Sequence, residues 1–182
     1  MNIVLIGYRG SGKSAVGRRL ADRLQMKFVD TDLLIEGRHG VLISDIVESY
    51  GWDRFRAMEK QIIEEISSHD HLVIASGGGA VLEAENVKVL RRNGLMIWLK
   101  ADGKTIRNRM GQDPSTFFRR PTLTGKGALE ELEEMMAYRE PFYQRAAVVE
   151  IDTSKLNVEA VVECILAILE ERNPEDRGWK PE

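Results

Sequence analysis

Gly7-Tyr8-Arg9-Gly10-Ser11-Gly12-Lys13-Ser14 follows the apolar run Ile3-Val4-Leu5-Ile6 and precedes Val16, Leu20 and Leu24. The run suits a buried strand, and the three later residues form one stripe at helical spacing. Strand, Gly-rich loop and helix is the context in which Gly-x-x-x-x-Gly-Lys-Ser acts as a phosphate-binding loop. The fold class is therefore read from these residues outward.

Gly10, Ser11 and Gly12 let the backbone turn so that amide N–H groups face phosphate oxygens. The helix that follows adds unpaired amides and the positive end of its dipole. Lys13 is placed to reach the β- and γ-phosphates as a point charge, and Ser14 to put its hydroxyl on Mg²⁺. The loop alone leaves the phosphoryl acceptor undefined.

The chain has 182 residues, 43% of them hydrophobic and 30% charged, with a formal charge of −3. That length suits one α/β domain, and the charge argues against a general nucleic-acid or acidic-membrane surface. One cysteine, Cys164, excludes an intramolecular disulfide and points to a reducing, cytoplasmic setting. It is read on the apolar stripe of a helix, as a small buried hydrophobe. No leader peptide is expected ahead of a strand that starts at residue 2 or 3. No apolar run approaches the roughly 18 residues of a membrane span. His39, His69 and His71 lack metal-site spacing and are read as surface or loop residues.

Short apolar runs alternate with helical patterns. Strands are expected at 2–6, 27–30, 72–76, 95–99 and 147–151. Helices are expected near 13–25, 33–38, 43–50, 54–68, 82–92, 103–110, 127–145 and 157–171. Phe55, Met58, Ile62 and Ile66 form one expected buried stripe, and Val158, Val161, Val162, Ile165, Ile168 and Leu169 another. The alternation predicts an α/β fold, a doubly wound parallel five-stranded sheet flanked by helices. Residues 1–171 read as one domain and 172–182 as a loosely held tail. Residues 111–127, with Arg119 and Arg120, read either as a lid over the nucleotide or as a surface loop.

The acceptor side begins at Asp30-Thr31-Asp32, which ends the second strand. If the segment stays extended, both carboxylates share a face beside the phosphate loop. One would organise Mg²⁺ through water and the other would position a hydroxyl; the competing reading is a helix N-cap at Asp32. Gly77-Gly78-Gly79 ends the third strand, either as a substrate-facing turn or as a plain mobile one. The carboxylate often found at the end of a central strand is absent there, and Ser76 occupies the region. This shifts the expected metal-organising acid to Asp30 or Asp32. Arg56 and Glu59, three apart on one helix, can pair. With Arg139 and the glycines they could form a fork for a carboxylate.

Taken together, the sequence resembles the shikimate kinase family over about residues 3–170. The resemblance rests on six stretches in order: Gly7–Ser14, Asp30-Thr31-Asp32, Phe55-Arg56-Ala57-Met58-Glu59, Gly77-Gly78-Gly79, Arg120-Pro121-Thr122-Leu123 and Arg139-Glu140-Pro141-Phe142-Tyr143. It implies a nucleoside-monophosphate-kinase-like fold of the P-loop class with a lid. It also implies phosphorylation of the shikimate 3-hydroxyl by ATP, with one Mg²⁺, by a monomer. Asp32 would hold the acceptor hydroxyls, Arg56 and Arg139 its carboxylate, and the Gly77–Gly79 backbone its ring. Glu59 would support Arg56, and Asp30 would act on Mg²⁺ through water with Ser14 as direct ligand. Arg120 would descend with the lid; Arg109, with Arg107 nearby, would pack by adenine, and Lys155 is the nearest basic candidate in the adenine-side loop after Ile151-Asp152-Thr153. Ala15 stands where the family usually has Thr, so one hydroxyl contact to the nucleotide phosphates is missing. Two other readings compete: a gluconate or nucleotide kinase of the same fold, and a non-catalytic nucleotide-binding module. The presence of Asp32 and Arg120 argues against the second.

Overall fold

The strand β1 (Asn2–Ile6) is the centre of the sheet, paired in parallel with β3 (Leu72–Ala75) on one side and β4 (Gly94–Lys100) on the other. The computed structural model describes residues 1–112 and 130–172. Among these, five parallel strands run in the order β2-β3-β1-β4-β5, where β2 is Lys27–Asp30 and β5 is Val149–Asp152. The expected strands are therefore all present, with ends shifted by no more than two residues.

Seven α-helices are found among the described residues: α1 (Lys13–Leu24), α2 (Thr31–His39), α3 (Ile43–Ile66), α4 (Ala84–Asn93), α5 (Gly103–Gln112), α6 (Glu130–Ala146) and α7 (Val158–Arg172). A 3₁₀ turn at Ala80–Leu82 leads into α4. The expected break between 43–50 and 54–68 appears inside α3, where Gly51 has φ 79° and ψ 170°. That conformation is open to glycine and kinks α3 into two halves.

Strand pleating divides the core. Ile3 and Leu5 face one layer with Val16, Leu20, Val161, Val162 and Ile165. Val4 and Ile6 face the other, with Ile35, Phe55, Ile63, Leu90 and Tyr143. A smaller cluster of Tyr8, Ala101, Ile106, Met110 and Leu132 lies under α5 and α6. Both faces of β1 are thus covered, which explains its unbroken apolar run.

Three sequence expectations change. Cys164 is exposed, because α7 turns its face centred on Val161, Val162 and Ile165 inward and leaves Cys164 about 100° away. Val158, in the first turn of α7, is also exposed. On α3 the fully buried position between Phe55 and Ile62 belongs to Glu59, while Met58 is half-buried. Most of the segment expected as a lid (113–127) and of the tail (173–182) lies outside the described residues, as does Arg120.

Candidate active site

β1 and β3 are neighbours whose following connections run in opposite directions on opposite faces of the sheet, so a crevice opens beyond their carboxyl ends. The phosphate loop leaves β1 at this point, and Gly77–Gly79 leaves β3. Gly10 and Gly12 have φ of 77° and 98°, which side chains resist, and Gly12 caps α1. The Lys13 ammonium is nearly buried and donates to the carbonyl oxygens of Gly7 at 2.8 Å and Tyr8 at 2.9 Å. Ala15, the next residue but one, is exposed, so no packing demand replaces the missing hydroxyl.

Ser14 Oγ donates to Asp30 Oδ2 at 2.6 Å. The other oxygen, Asp30 Oδ1, accepts from the amides of Asp32 at 3.1 Å and Leu33 at 3.3 Å. Asp30 is therefore the N-cap of α2. This corrects the expectation of an extended Asp30–Asp32 segment and the alternative of a cap at Asp32. The β2 ladder stops at the Asp30–Ala75 pair and the helix begins at Thr31. Asp32 is instead carried on the first turn of α2, half-buried. Between the two acids, Thr31 is fully buried and its Oγ1 accepts from the Gly77 amide at 2.8 Å. Ser76 is buried and supplies no carboxylate.

One flank of the crevice is built around Gly77–Gly79. Arg56 donates to Glu59 Oε2 at 2.5 Å, as its spacing predicted. Its guanidinium also lies 5.2 Å and 5.6 Å from the rings of Phe55 and Trp52. A Cβ on Gly79 would sit 2.3 Å from an Arg56 terminal nitrogen, so the glycine gives that guanidinium its place. Arg139 is 6% exposed and lies 5.5 Å from the Tyr8 ring. One of its terminal nitrogens is 3.6 Å from the Cβ position of Gly78. Tyr143, one turn beyond Arg139 on α6, donates to the Gly78 carbonyl at 2.5 Å and stacks on Trp98. Pro141 between them removes one helical amide donor.

Glu59 is fully buried, and burial pushes its carboxyl above the ordinary range, opposed by Arg56 and then Arg139. Two guanidiniums face one buried carboxyl. Glu83 acts on the same carboxyl as a further negative charge, and Arg139 Nε has no hydrogen-bond partner among the described residues. That arrangement suits an incoming carboxylate.

On the opposite flank, Arg109 donates to the Ser11 carbonyl at 3.3 Å, to Thr153 Oγ1 at 3.0 Å and to the Thr153 carbonyl at 2.7 Å. It clasps the phosphate loop to the segment after β5. Arg107 turns away to pair with Glu133 at 3.1 Å, which separates the two arginines that sequence spacing left together. Lys155 is exposed beside the same segment. Thr31, Thr153, Tyr8 and Tyr143 had no assigned role in the sequence; only Tyr143 carried a signal, its i+4 spacing from Arg139.

Comparison with known proteins points to one family. The family model described as shikimate kinase matches residues 9–170. A shikimate kinase of Symbiobacterium thermophilum is 46% identical over 179 residues, covering 98% of this chain and all of that relative. Among solved structures, the shikimate kinase from Acinetobacter baumannii in complex with shikimate superposes with a TM-score of 0.87 at 32% identity, covering 94% of this chain and 93% of that one. A gluconokinase from Sinorhizobium meliloti reaches a TM-score of 0.56 at 18% identity over 97% of each chain, a likeness of fold alone. By the family match and by these relatives, the chain belongs to the shikimate kinase family.

Proposed function

We propose that the chain transfers the γ-phosphoryl group of ATP to the 3-hydroxyl of shikimate, giving shikimate 3-phosphate and ADP. The observation that carries this reading is the pair Arg56 and Arg139 set against Gly78 and Gly79, with Glu59 buried behind. A planar carboxylate can engage both guanidiniums, which fixes the attached ring and aims one hydroxyl toward the phosphate loop.

In the transfer, the hydroxyl oxygen bonds to the γ-phosphorus. The bond to the β–γ bridging oxygen breaks, and ADP leaves with that electron pair. Asp32 orients the hydroxyl and accepts its proton. Lys13 leaves its carbonyl partners to meet the phosphates, and the amides of Gly10–Lys13 hold their oxygens. Arg120 joins the phosphates from the lid segment, and Arg109 and Lys155 flank the adenine.

The oxygens of Ser14 and Asp30 converge at 2.6 Å and are hard donors, so this pair fits Mg²⁺. Ser14 would ligate directly and Asp30 through water. The ion would supply charge neutralisation at the phosphates. Catalysis by the chain itself is then positioning and exclusion of water. The protein would work as a cytoplasmic monomer.

A coupled assay of ADP release with shikimate, gluconate and AMP tests the acceptor. Turnover with shikimate at least about 100-fold above the others is expected for a site built on a paired carboxylate. Turnover with gluconate or AMP and none with shikimate would overturn the reading.

A further inference from the structure

The phosphate loop carries a second cation that the reaction as described does not use. Arg9 is half-buried, and its Nε is fully shielded from solvent without a hydrogen-bond partner among the described residues. Its guanidinium lies 5.9 Å from the Tyr8 ring centroid, the ring that also backs Arg139 at 5.5 Å. The Arg9 backbone nitrogen and the Gly7 carbonyl oxygen both lie 3.5 Å from the Cβ position of Gly78, against 3.6 Å for Arg139. Arg9 therefore stands on the seam where the nucleotide loop meets the acceptor glycines. Elsewhere on the surface, exposed arginines such as Arg19, Arg23 and Arg38 are paired with carboxylates. Arg9 has no ion-pair partner among the described residues, though a guanidinium with one shielded, unmatched N–H gains from any anion brought to it.

Resting on the acceptor proposed above, we infer that Arg9 is a catalytic residue that binds the phosphoryl group as it passes from nucleotide to acceptor. Lys13 approaches from the loop's own carbonyls, and Arg56 and Arg139 take the acceptor's carboxylate. Arg9 is the cation whose backbone lies where the phosphate loop meets Gly78, and its guanidinium shares the Tyr8 ring with Arg139. Its partner is a tetrahedral or planar phosphorus–oxygen anion at the acceptor hydroxyl, present in the transition state and in the phosphorylated product but not in free shikimate. Its contribution consequently falls on kcat and on product affinity rather than on the KM of either substrate.

The test compares the unaltered enzyme with Arg9→Met, which keeps most of the stem, and Arg9→Lys, which restores a point charge. Steady-state kinetics give kcat and both KM values. Calorimetric titrations give the affinities for shikimate and for shikimate 3-phosphate, and thermal melts monitor folding. Expected for Arg9→Met are a kcat loss of roughly 10–100-fold, KM changes within about threefold, and selective weakening of the phosphorylated acceptor by about tenfold. Arg9→Lys recovers part of the kcat, since charge returns without the planar fork. An unchanged kcat in Arg9→Met, a loss confined to the KM for ATP, or equal weakening of both acceptor forms overturns the inference. Failure of the unaltered enzyme to use shikimate instead overturns the acceptor assignment, and is read before any variant is made.

Discussion

Gly79→Ala adds one methyl group and strikes the proposed acceptor site through its single carbon. The new Cβ would lie 2.3 Å from one Arg56 terminal nitrogen and 2.9 Å from its central carbon. Ordinary contact begins near 3.4 Å, so the guanidinium must retreat by about 1 Å. It has little freedom to do so, because Glu59 holds it at 2.5 Å and the Trp52 and Phe55 rings flank it. Displacement loosens its grip on a carboxylate, and a charge-assisted hydrogen bond is worth about 1.5–3 kcal/mol. That converts to a rise of roughly 10–150-fold in the KM for shikimate. The KM for ATP should stay within about twofold, since the phosphate loop is untouched, and overpacking should cost the fold about 1–3 kcal/mol. Kinetics at saturating ATP, with shikimate varied, measure the effect. A shikimate KM within twofold of the unaltered enzyme, in a variant that folds, would refute the placement of Arg56 at the acceptor carboxylate.

Three further outcomes are expected. Asp32→Asn should keep ATP binding, measured by titration, and lose about 10²–10⁴-fold in kcat; unchanged transfer would remove Asp32 from its assigned role. Arg109→Ala removes one hydrogen bond to the phosphate loop at Ser11 and two to Thr153, so the KM for ATP should rise roughly tenfold with the shikimate KM unmoved; the opposite pattern counts against a nucleotide-side clasp. Glu59 is raised by burial, so its folded form holds a proton that the unfolded chain gives up near its ordinary value of 4.5. Its contribution to stability is complete below that value and declines as pH rises through the higher folded pKa. Melting temperatures of the unaltered protein and Glu59→Gln should therefore separate, to the disadvantage of the unaltered protein, as pH climbs above 4.5. A constant difference across that range would contradict the shift.

Strand positions were legible most plainly where β1, β3 and β4 are short apolar runs, and the break in α3 because Gly51 falls between the two expected helices. The order of the six stretches pointed to the family, and the Arg56–Glu59 pair followed from spacing alone. Other features depend on where a ladder ends or on partners distant in sequence. Whether Asp30 or Asp32 caps α2 is decided by the last pair of β2 with β3, which no local pattern records. Thr31 meets Gly77 across 46 positions. Glu59 took a core position that polarity argued against, because Arg56 on the same helix satisfies one of its oxygens. Cys164 was misassigned by helical phase, since one residue's rotation separates the buried face of α7 from its exposed one.

Asp30 spends its two oxygens in different directions. One accepts from the Ser14 hydroxyl, on the nucleotide side in the proposed reaction, and the other fixes the start of the helix that carries Asp32, the proposed acceptor-side acid. In the proposed reaction a short side chain with two rotatable bonds would thereby serve as a gauge between donor and acceptor. In-line transfer tolerates little error in that separation. Any change that lengthens the gauge, such as Asp30→Glu, should leave both substrates bound yet out of register with one another.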